Sequence, residues 1–160
     1  MSKTPSTPAI RLLKDNKVPF AEHHYRYEDH GGTRLCAEEF NVDEHCVIKT
    51  LIMEDENAKP MVVLMHGDRE VSTKALARQL GCKAIQPCKP DTANRHSGYL
   101  VGGTSPFGTR RTMPVYMERS ILELEKIFIN GGSRGFLVAM DPKDVAMVLN
   151  PVLVEVSLRE

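Results

Sequence analysis

The stretch Cys46-Val47-Ile48-Lys49-Thr50-Leu51-Ile52-Met53 predicts the central strand of the fold, because its apolar residues fall on both faces. A lysine in the middle of such a strand is unusual, since burying an unpaired ammonium is costly or shifts its pKa. Two interpretations of Lys49 stay open. Its long stem either carries the ammonium to water at an open edge, or the ammonium stands at the floor of a pocket and meets an anionic or carbonyl-bearing ligand.

The composition is that of an ordinary globular protein. The 160 residues allow one domain with a sizeable core, which we expect to span residues 1–160. Lys and Arg number 21, as do Asp and Glu, so the net charge is zero. That excludes coating of nucleic acid by bulk charge, but it allows a small basic patch to recognise one nucleic-acid end. No apolar run approaches the roughly 20 residues of a membrane span, and residues 1–5 lack a signal peptide's apolar core behind them. We therefore expect a cytoplasmic protein without membrane contact.

The four cysteines do not indicate a metal site. They are Cys36, Cys46, Cys82 and Cys88, and no two have Cys-x-x-Cys or zinc-ligand spacing. A catalytic cysteine needs an activating histidine or a helix N-terminus. His45 precedes Cys46, but adjacent strand residues point to opposite faces, so a small cysteine hydrolase is the less favoured alternative.

Helix and strand signals alternate along the chain. Helices are predicted at residues 7–14, 34–41, 73–80, 90–97 and 142–149. Thr7, Ser72 and Asp141 are the expected N-caps of the helices at 7–14, 73–80 and 142–149, and Thr33 is the expected cap of the helix at 34–41. Strands are predicted at residues 20–27, 46–53, 60–66, 113–117, 136–140 and 151–158, with a shorter one at 84–85. Short turns join several strands. The pattern predicts one α/β or α+β domain, in which short helices surround a curved, mixed and largely antiparallel sheet of about six strands.

The most unusual segment is Gly98-Tyr99-Leu100-Val101-Gly102-Gly103-Thr104-Ser105-Pro106-Phe107-Gly108. It predicts either a strand that ends in a tight turn, or a backbone wall on which a ligand contacts main-chain N–H and C=O groups. It is not a phosphate loop, because the Gly-Lys-Ser/Thr element is missing. Arg110 and Arg111 follow it and carry the densest positive charge of the chain. A second glycine turn is predicted at residues 131–135.

With these motifs the chain resembles the YbaK/EbsC family of aminoacyl-tRNA deacylases, relatives of the editing domain inserted in bacterial prolyl-tRNA synthetase. The resemblance runs over nearly the whole chain. Its parts are Thr7-Pro8-Ala9-Ile10, Pro19-Phe20 with His23 and Tyr25, Lys49-Thr50-Leu51, Gly98–Gly103 with Ser105-Pro106 and Gly108, and Gly131-Gly132 with Arg134-Gly135. The two glycine motifs at their matching distance are its specific part.

The resemblance implies an enzyme that releases a mischarged amino acid from the 3′ end of tRNA. It implies that Lys49 is the catalytic residue and holds the aminoacyl-adenosine end, that backbone at Gly102 and Gly103 lines the ester, and that Tyr25 lies beside the amino acid. The other substrate-binding residues expected are Thr50, Thr104, Ser105, Asn130, Gly131 and Gly135. Arg110 and Arg111 are expected to contact tRNA phosphates. No metal or organic cofactor is implied, and a partnership with prolyl-tRNA synthetase stays open.

Three positions near the expected amino-acid pocket depart from the YbaK pattern. Gly31-Gly32-Thr33 stands where YbaK has a phenylalanine-bearing loop, Asn130 replaces a serine, and Leu137 replaces an aspartate. Cysteine on tRNA for proline is the expected substrate, with serine, threonine or alanine as alternatives.

The expected chemistry needs no enzyme nucleophile. An aminoacyl ester is already activated, so orientation and electrostatic stabilisation supply much of what is required. The resemblance implies attack by the thiol of a cysteine substrate on its own carbonyl, or attack by an oriented water for other amino acids. His23 is a candidate for the pocket against a structural role. The rival of another class is a module that binds tRNA or a synthetase without turnover.

Overall fold

A computed structural model of the chain describes residues 5–159. Residues 1–4 and Glu160 lie outside the described residues. The expectation about a signal peptide rests partly on residues 1–4. None of the helices in the described range combines the length and apolar character needed to cross a bilayer.

The described residues form five α-helices and ten β-strands. The helices are α1 (Pro8–Asp15), α2 (Gly32–Phe40), α3 (Thr73–Leu80), α4 (Pro90–Ser97) and α5 (Pro142–Leu149). The strands are β1 (Ala21–His24), β2 (Ile48–Asp55), β3 (Pro60–His66), β4 (Arg69–Val71), β5 (Ile85–Pro87), β6 (Val115–Glu118), β7 (Ile127–Ser133), β8 (Phe136–Met140), β9 (Val152–Val154) and β10 (Ser157–Arg159). Short 3₁₀ helices occupy Glu44–Cys46 and Arg119–Glu123.

The strands form three hydrogen-bonded sheets. The largest has the order β5-β2-β3-β6-β9, in which β2 is antiparallel to β3 and β5, while β6 is parallel to β3 and β9. The second, β1-β8-β7, and the third, β10-β4, are antiparallel. A parallel bridge between Val47 and Phe128 joins the start of β2 to β7. The predicted α+β class with a mixed, largely antiparallel arrangement is confirmed, although the strands divide among three sheets.

The two apolar faces of β2 pack against different parts of the core. Ile48 and Ile52 belong to a cluster that includes α1 and α5, whereas Met53 packs with Leu76 of α3 on the opposite side. β3 lies beside β2 and is buried along its whole length. The sequence pattern of a strand buried on both faces is therefore confirmed, with its start moved to Ile48 because Glu44–Cys46 forms a 3₁₀ helix.

Local capping explains where three helices begin. The hydroxyl of Thr7 accepts a hydrogen bond from the Ile10 amide at 3.1 Å, that of Ser72 accepts one from Ala75 at 3.2 Å, and the Asp141 carboxylate accepts one from Lys143 at 2.9 Å. All three caps were expected.

The expected cap at Thr33 is wrong. Helix α2 begins at Gly32, after an N-cap at Gly31 that makes no side-chain capping bond. The Thr33 hydroxyl instead donates to the carboxylate of Glu44 at 2.7 Å, and Gly67 in the β3–β4 turn lies close to the same helix end.

The glycine segments also differ from the prediction. Residues 98–108, named here the glycine loop, contain no strand. Gly131 and Gly132 lie inside β7 at an irregularity between Asn130 and Ser133, so the turn to β8 is made by Arg134 and Gly135. The predicted strand at 151–158 divides into β9 and β10, and β4, which pairs with β10, was not predicted.

Candidate functional site

A cavity of about 850 Å³ lies beside β2. Five parts of the chain contribute most of its wall: residues 48–52 of β2, residues 28–36 leading into α2, residues 87–93 from the end of β5 into α4, the glycine loop, and the β7–β8 hairpin. The cavity is therefore the place where the two expected glycine motifs and the Lys49 strand meet.

The cavity follows a stretch of the β2 edge that no strand among residues 5–159 covers. β5 pairs only with Met53–Asp55, the last residues of β2. The Cys88 amide donates to the Ile52 carbonyl at 3.0 Å, so Ile52 turns its main-chain groups toward this edge. Because such groups alternate in direction along a strand, the N–H and C=O of Thr50 point to the same edge. Main-chain hydrogen-bonding groups thus form part of the cavity wall.

Lys49 lines the cavity, and its ammonium is anchored on β4. The Nζ atom donates to the main-chain carbonyl of Arg69 at 2.7 Å and lies 3.4 Å from a carboxylate oxygen of Glu70. The Lys49 side chain is 19% exposed, whereas that of Glu70 is 62% exposed. The geometry combines features of both interpretations of the sequence. The Lys49 side chain borders the cavity, while its ammonium contacts the Arg69 carbonyl and the Glu70 carboxylate at the sheet edge.

Thr50 presents a buried hydroxyl to the same cavity. Within residues 5–159, its Oγ1 is the one buried side-chain oxygen or nitrogen that makes no hydrogen bond. Leaving a buried hydroxyl unpaired costs about 1–3 kcal/mol. A ligand that supplied a partner would therefore recover this energy.

One end of the cavity has an uncharged wall. Tyr25, Cys36, Val47 and Leu137 line it and belong to one apolar cluster. Asn130 is the cross-strand partner of Leu137, so both side chains lie on the same face of the hairpin. Burial raises the pKa of Tyr25 well above its ordinary value, and the neighbouring Cys36 thiol adds to the shift, so this phenol is a neutral donor and acceptor.

The glycine loop closes another side through a contact that only glycine permits. Gly102 has φ of +97°, and a Cβ there would lie 2.7 Å from the Tyr27 hydroxyl. The Arg134 guanidinium lies over the Tyr27 ring, 5.0 Å from its centroid, and donates from Nε to the Val101 carbonyl at 3.0 Å. Tyr27 and Arg134 thereby tie the loop to the hairpin.

The predicted site residues divide into two groups. Lys49, Tyr25, Thr50, Gly102, Thr104 and Asn130 line the cavity together. Gly103, Ser105, Gly131 and Gly135 are not among its lining residues.

The residues of the second group pack behind those that line the cavity. A Cβ on Gly103 would lie 2.7 Å from the Arg134 amide nitrogen, so this glycine allows two backbones to touch and does not border open space, contrary to expectation. Ser105 is fully buried and accepts a bond from the Phe107 amide at 3.2 Å. A Cβ on Gly131 would strike the Phe136 ring, and Gly135, with φ of +80°, lies against the Tyr25 carbonyl.

Arg110 and Arg111 are exposed and lie outside the cavity wall. Their main-chain amides donate to Ser97 and His96 at 3.0 Å, which fixes them beside the end of α4. Their contact with tRNA stays a prediction.

The sequence analysis did not place Tyr27 in the site, and of the segment 28–36 it placed only Gly31-Gly32-Thr33 near the pocket. The one available signal was the spacing of Tyr25 and Tyr27, which places two aromatic rings on the same side of an extended chain. His23 does not line the cavity. It packs edge-on against Phe40 and Phe128, with ring centroids 5.3 and 5.1 Å away, as its structural interpretation requires.

The cysteines lack the properties of a nucleophile. Cys36 and Cys88 line the cavity, and burial raises the pKa of both, that of Cys88 to about 11. Burial also raises the pKa of Cys46 and Cys82. A catalytic thiolate requires the opposite shift, which argues against a cysteine hydrolase.

Comparisons with known proteins agree with the expected resemblance. The model of the family described as the aminoacyl-tRNA editing domain matches residues 32–147. EbsC of Enterococcus faecalis, provisionally named a Cys-tRNA(Pro)/Cys-tRNA(Cys) deacylase, is 26% identical over 155 residues, covering 96% of this chain and 94% of EbsC. A proline–tRNA ligase of Brachyspira hyodysenteriae is 26% identical over 92 residues, which cover 58% of this chain and 16% of the ligase.

A solved structure supports the fold. The crystal structure of a protein provisionally described as a trans-editing enzyme for prolyl-tRNA synthetase superposes with a TM-score of 0.82 at 17% identity, covering 99% of each chain. The family match takes in Lys49, the glycine loop and the β7–β8 hairpin, which are the parts that build the cavity. The chain is therefore a member of the aminoacyl-tRNA editing domain family.

Proposed function

We propose that this protein is a trans-acting deacylase that removes cysteine from mischarged Cys-tRNA(Pro). The observation that carries the proposal is the cavity along the uncovered edge of β2, in a chain of the editing family. It brings together the ammonium side chain of Lys49, the unpaired hydroxyl of Thr50 and the backbone of the glycine loop. This donor set suits an ester whose carbonyl oxygen gains negative charge in the transition state.

The main chain supports the role proposed for Lys49. The Arg69 carbonyl accepts a hydrogen bond from the Lys49 ammonium at 2.7 Å, and this main-chain contact fixes the end of an otherwise flexible side chain. A positioned cation beside the cavity can bind the terminal ribose and stabilise the developing oxyanion. The hydroxyl and main-chain groups of Thr50 offer further hydrogen bonds at the same edge.

The uncharged end of the cavity supports a small, uncharged amino acid. Tyr25, Cys36, Val47 and Leu137 provide apolar contact, and the Asn130 amide provides a neutral polar group. A charged side chain would lose its hydration against this wall without gaining a charged partner. Cysteine is small and weakly polar, and it satisfies these conditions.

Two reactions are compatible with the site. In the first, the substrate sulfur bonds to its own carbonyl carbon, the ester C–O bond breaks, the thiol proton passes to the leaving ribose oxygen, and a cysteine thiolactone leaves the tRNA. In the second, a water oxygen bonds to the carbonyl carbon, the same C–O bond breaks, a water proton passes to the ribose oxygen, and free cysteine leaves. Neither reaction uses an enzyme thiol, in agreement with the raised pKa of Cys36 and Cys88.

A panel of tRNA(Pro) charged with cysteine, serine, threonine, alanine or proline tests this proposal. We expect cysteine to be released fastest and proline to stay attached. Faster release of serine, threonine or alanine would reassign the substrate, and absence of release from every member would favour a binding module. Mass spectrometry of the first product separates thiolactone from free cysteine.

Prolyl-tRNA synthetase is a candidate partner, because the chain is related to part of such a ligase. If the two proteins share tRNA, adding purified synthetase at subsaturating tRNA should accelerate deacylation. An unchanged rate would indicate that the deacylase acts on free tRNA.

A further inference from the structure

Tyr27, Val101 and Arg134, named here the rim platform, form a contact cluster at the boundary of the cavity. The three residues come from the segment after β1, the glycine loop and the hairpin tip, and all three line the cavity. The guanidinium of Arg134 covers the Tyr27 ring at 5.0 Å and bonds to the Val101 carbonyl at 3.0 Å. These contacts hold the guanidinium plane in a fixed orientation.

The platform also faces solvent. Arg134 is exposed, Val101 is 44% exposed, and the adjacent Leu100 is 58% exposed. Two large apolar side chains therefore stand in water beside an oriented guanidinium. A guanidinium plane that rests on an aromatic ring, with apolar surface next to it, is the type of surface on which an unpaired nucleobase stacks.

We infer that the rim platform and Leu100 bind an unpaired base of the substrate RNA, that of the nucleotide preceding the terminal adenosine. This inference rests on the proposed function, since it assumes that the aminoacylated adenosine enters the cavity. A cavity of about 850 Å³ suits one ligand of that size. The preceding nucleotide must then lie outside, where Tyr27, Val101 and Arg134 form the rim.

The charge distribution favours single-stranded RNA as the occupant of this surface. The chain has no net charge, so RNA binding has to depend on local contacts. The exposed cation Arg110 packs against Gly98 at the start of the same glycine loop. An RNA strand that leaves the cavity across Leu100 would therefore meet a cation for its phosphates beside the glycine loop.

The test measures binding of a 5′-fluorescent single-stranded RNA pentamer that ends in CCA, by anisotropy. We expect Leu100→Ser and Arg134→Lys each to weaken binding at least about fivefold, and Leu100→Phe to bind at least as tightly as the wild type. Leu100→Ser is the cleaner variant, because the main-chain bond from the Gly103 amide to the Leu100 carbonyl is unaffected by it. Leu158→Ser and Arg78→Lys, changes at other exposed positions, are the matched controls and should leave binding unchanged.

A second oligonucleotide with an abasic site at the penultimate position identifies the base. The wild type should bind it as weakly as Leu100→Ser binds the intact oligonucleotide, and Leu100→Ser should show no further loss. Equal wild-type affinity for the two oligonucleotides, or no detectable binding of the intact one, would overturn the inference.

The binding assay needs no turnover, so the two proposals can fail separately. Deacylation of Cys-tRNA(Pro) with equal binding of intact and abasic RNA would refute the rim platform alone. Base-dependent binding without deacylation would support the platform and refute the proposed reaction.

Discussion

The Lys49 ammonium lies 2.7 Å from the main-chain carbonyl oxygen of Arg69. This contact ties the central strand β2 to the short strand β4, which itself pairs with β10 near the C-terminal end of the described chain. The ammonium of a lysine that lines the cavity is thus held by a main-chain carbonyl 20 residues further along the chain. Replacing the lysine and replacing its exposed partner Glu70 should therefore have different consequences.

We predict that Lys49→Ala lowers kcat/KM for deacylation at least about tenfold, or about 1.4 kcal/mol of transition-state stabilisation. Lys49→Arg should not restore activity, because the planar guanidinium cannot occupy the same place against the Arg69 carbonyl. The measurement is steady-state deacylation, with circular dichroism to verify folding.

Two controls accompany this change. Glu70→Ala should alter kcat/KM less than about threefold, because an exposed ion pair contributes little and the Arg69 carbonyl contact persists. Lys74→Ala removes an exposed lysine on α3 and should have no effect. Normal turnover by folded Lys49→Ala would refute the role assigned to the lysine.

Gly103→Ala should lower the melting temperature as well as activity. The added Cβ would lie 2.7 Å from the Arg134 amide nitrogen and 2.8 Å from the Ser133 carbonyl carbon, so the glycine loop and the hairpin would have to separate. Thermal unfolding measures the first effect and deacylation the second. Gly81→Ala is the control, because it strains a residue with φ of +76° but places its Cβ in open space. An unchanged melting temperature with lost activity would show that Gly103 instead leaves room for a ligand.

Local signals in the sequence were sufficient for most helices and for the central strand. The caps at Thr7, Ser72 and Asp141 act within three residues, and the run at Ile48–Met53 carries its burial pattern in its own composition. Such short-range information does not depend on the rest of the fold.

Contacts between distant segments were not predictable from one sequence. β4 and β10 are three-residue strands that pair across more than eighty residues, and no local pattern indicates this pairing. The contact of Arg134 with Tyr27 likewise joins residues far apart, and only the spacing of Tyr25 and Tyr27 indicated locally that Tyr27 could belong to the site. Gly131-Gly132 has the composition of a turn but continues β7 as an irregularity, between Asn130 and Ser133, which both pair with β8.

Stability should decrease as the pH falls below about 6.5, the ordinary pKa of histidine. His66 is 1% exposed and stacks on His45 at 3.7 Å, and burial lowers its pKa. In the unfolded chain His66 therefore binds a proton at a pH where folded His66 remains neutral. The contribution of neutral His66 to the free energy of unfolding is fully present above the pKa of the histidine in the unfolded chain, and it is lost as the pH falls below that value.

Thermal melts between pH 7.5 and 5.5 measure this effect. His66→Gln should show a shallower decline than the wild type, while His30→Gln, at an exposed loop position, should retain the full decline. A melting temperature that rises on acidification would contradict the assignment.

The double change Arg110→Ala with Arg111→Ala should raise KM more than it lowers kcat. Phosphate contacts are made equally in the ground and transition states, and both side chains are exposed beside the glycine loop. A salt titration of tRNA binding should give a shallow wild-type slope, which the double variant reduces by about 2.

Lys74→Ala with Arg78→Ala on α3 removes the same charge elsewhere and should leave the salt slope unchanged. A steep wild-type slope, or one that the Arg110 and Arg111 changes do not affect, would place the tRNA contact on another surface or on a partner protein.

If the proposed function is correct, the protein turns over aminoacyl-tRNA and does not merely bind it. The most direct measurement is deacylation of Cys-tRNA(Pro), in large excess over the purified protein, with Pro-tRNA(Pro) in a parallel reaction. We expect each protein molecule to release many cysteines, while prolyl-tRNA is lost only at its spontaneous rate. Loss of cysteine at the spontaneous rate, with tRNA still bound, would contradict it.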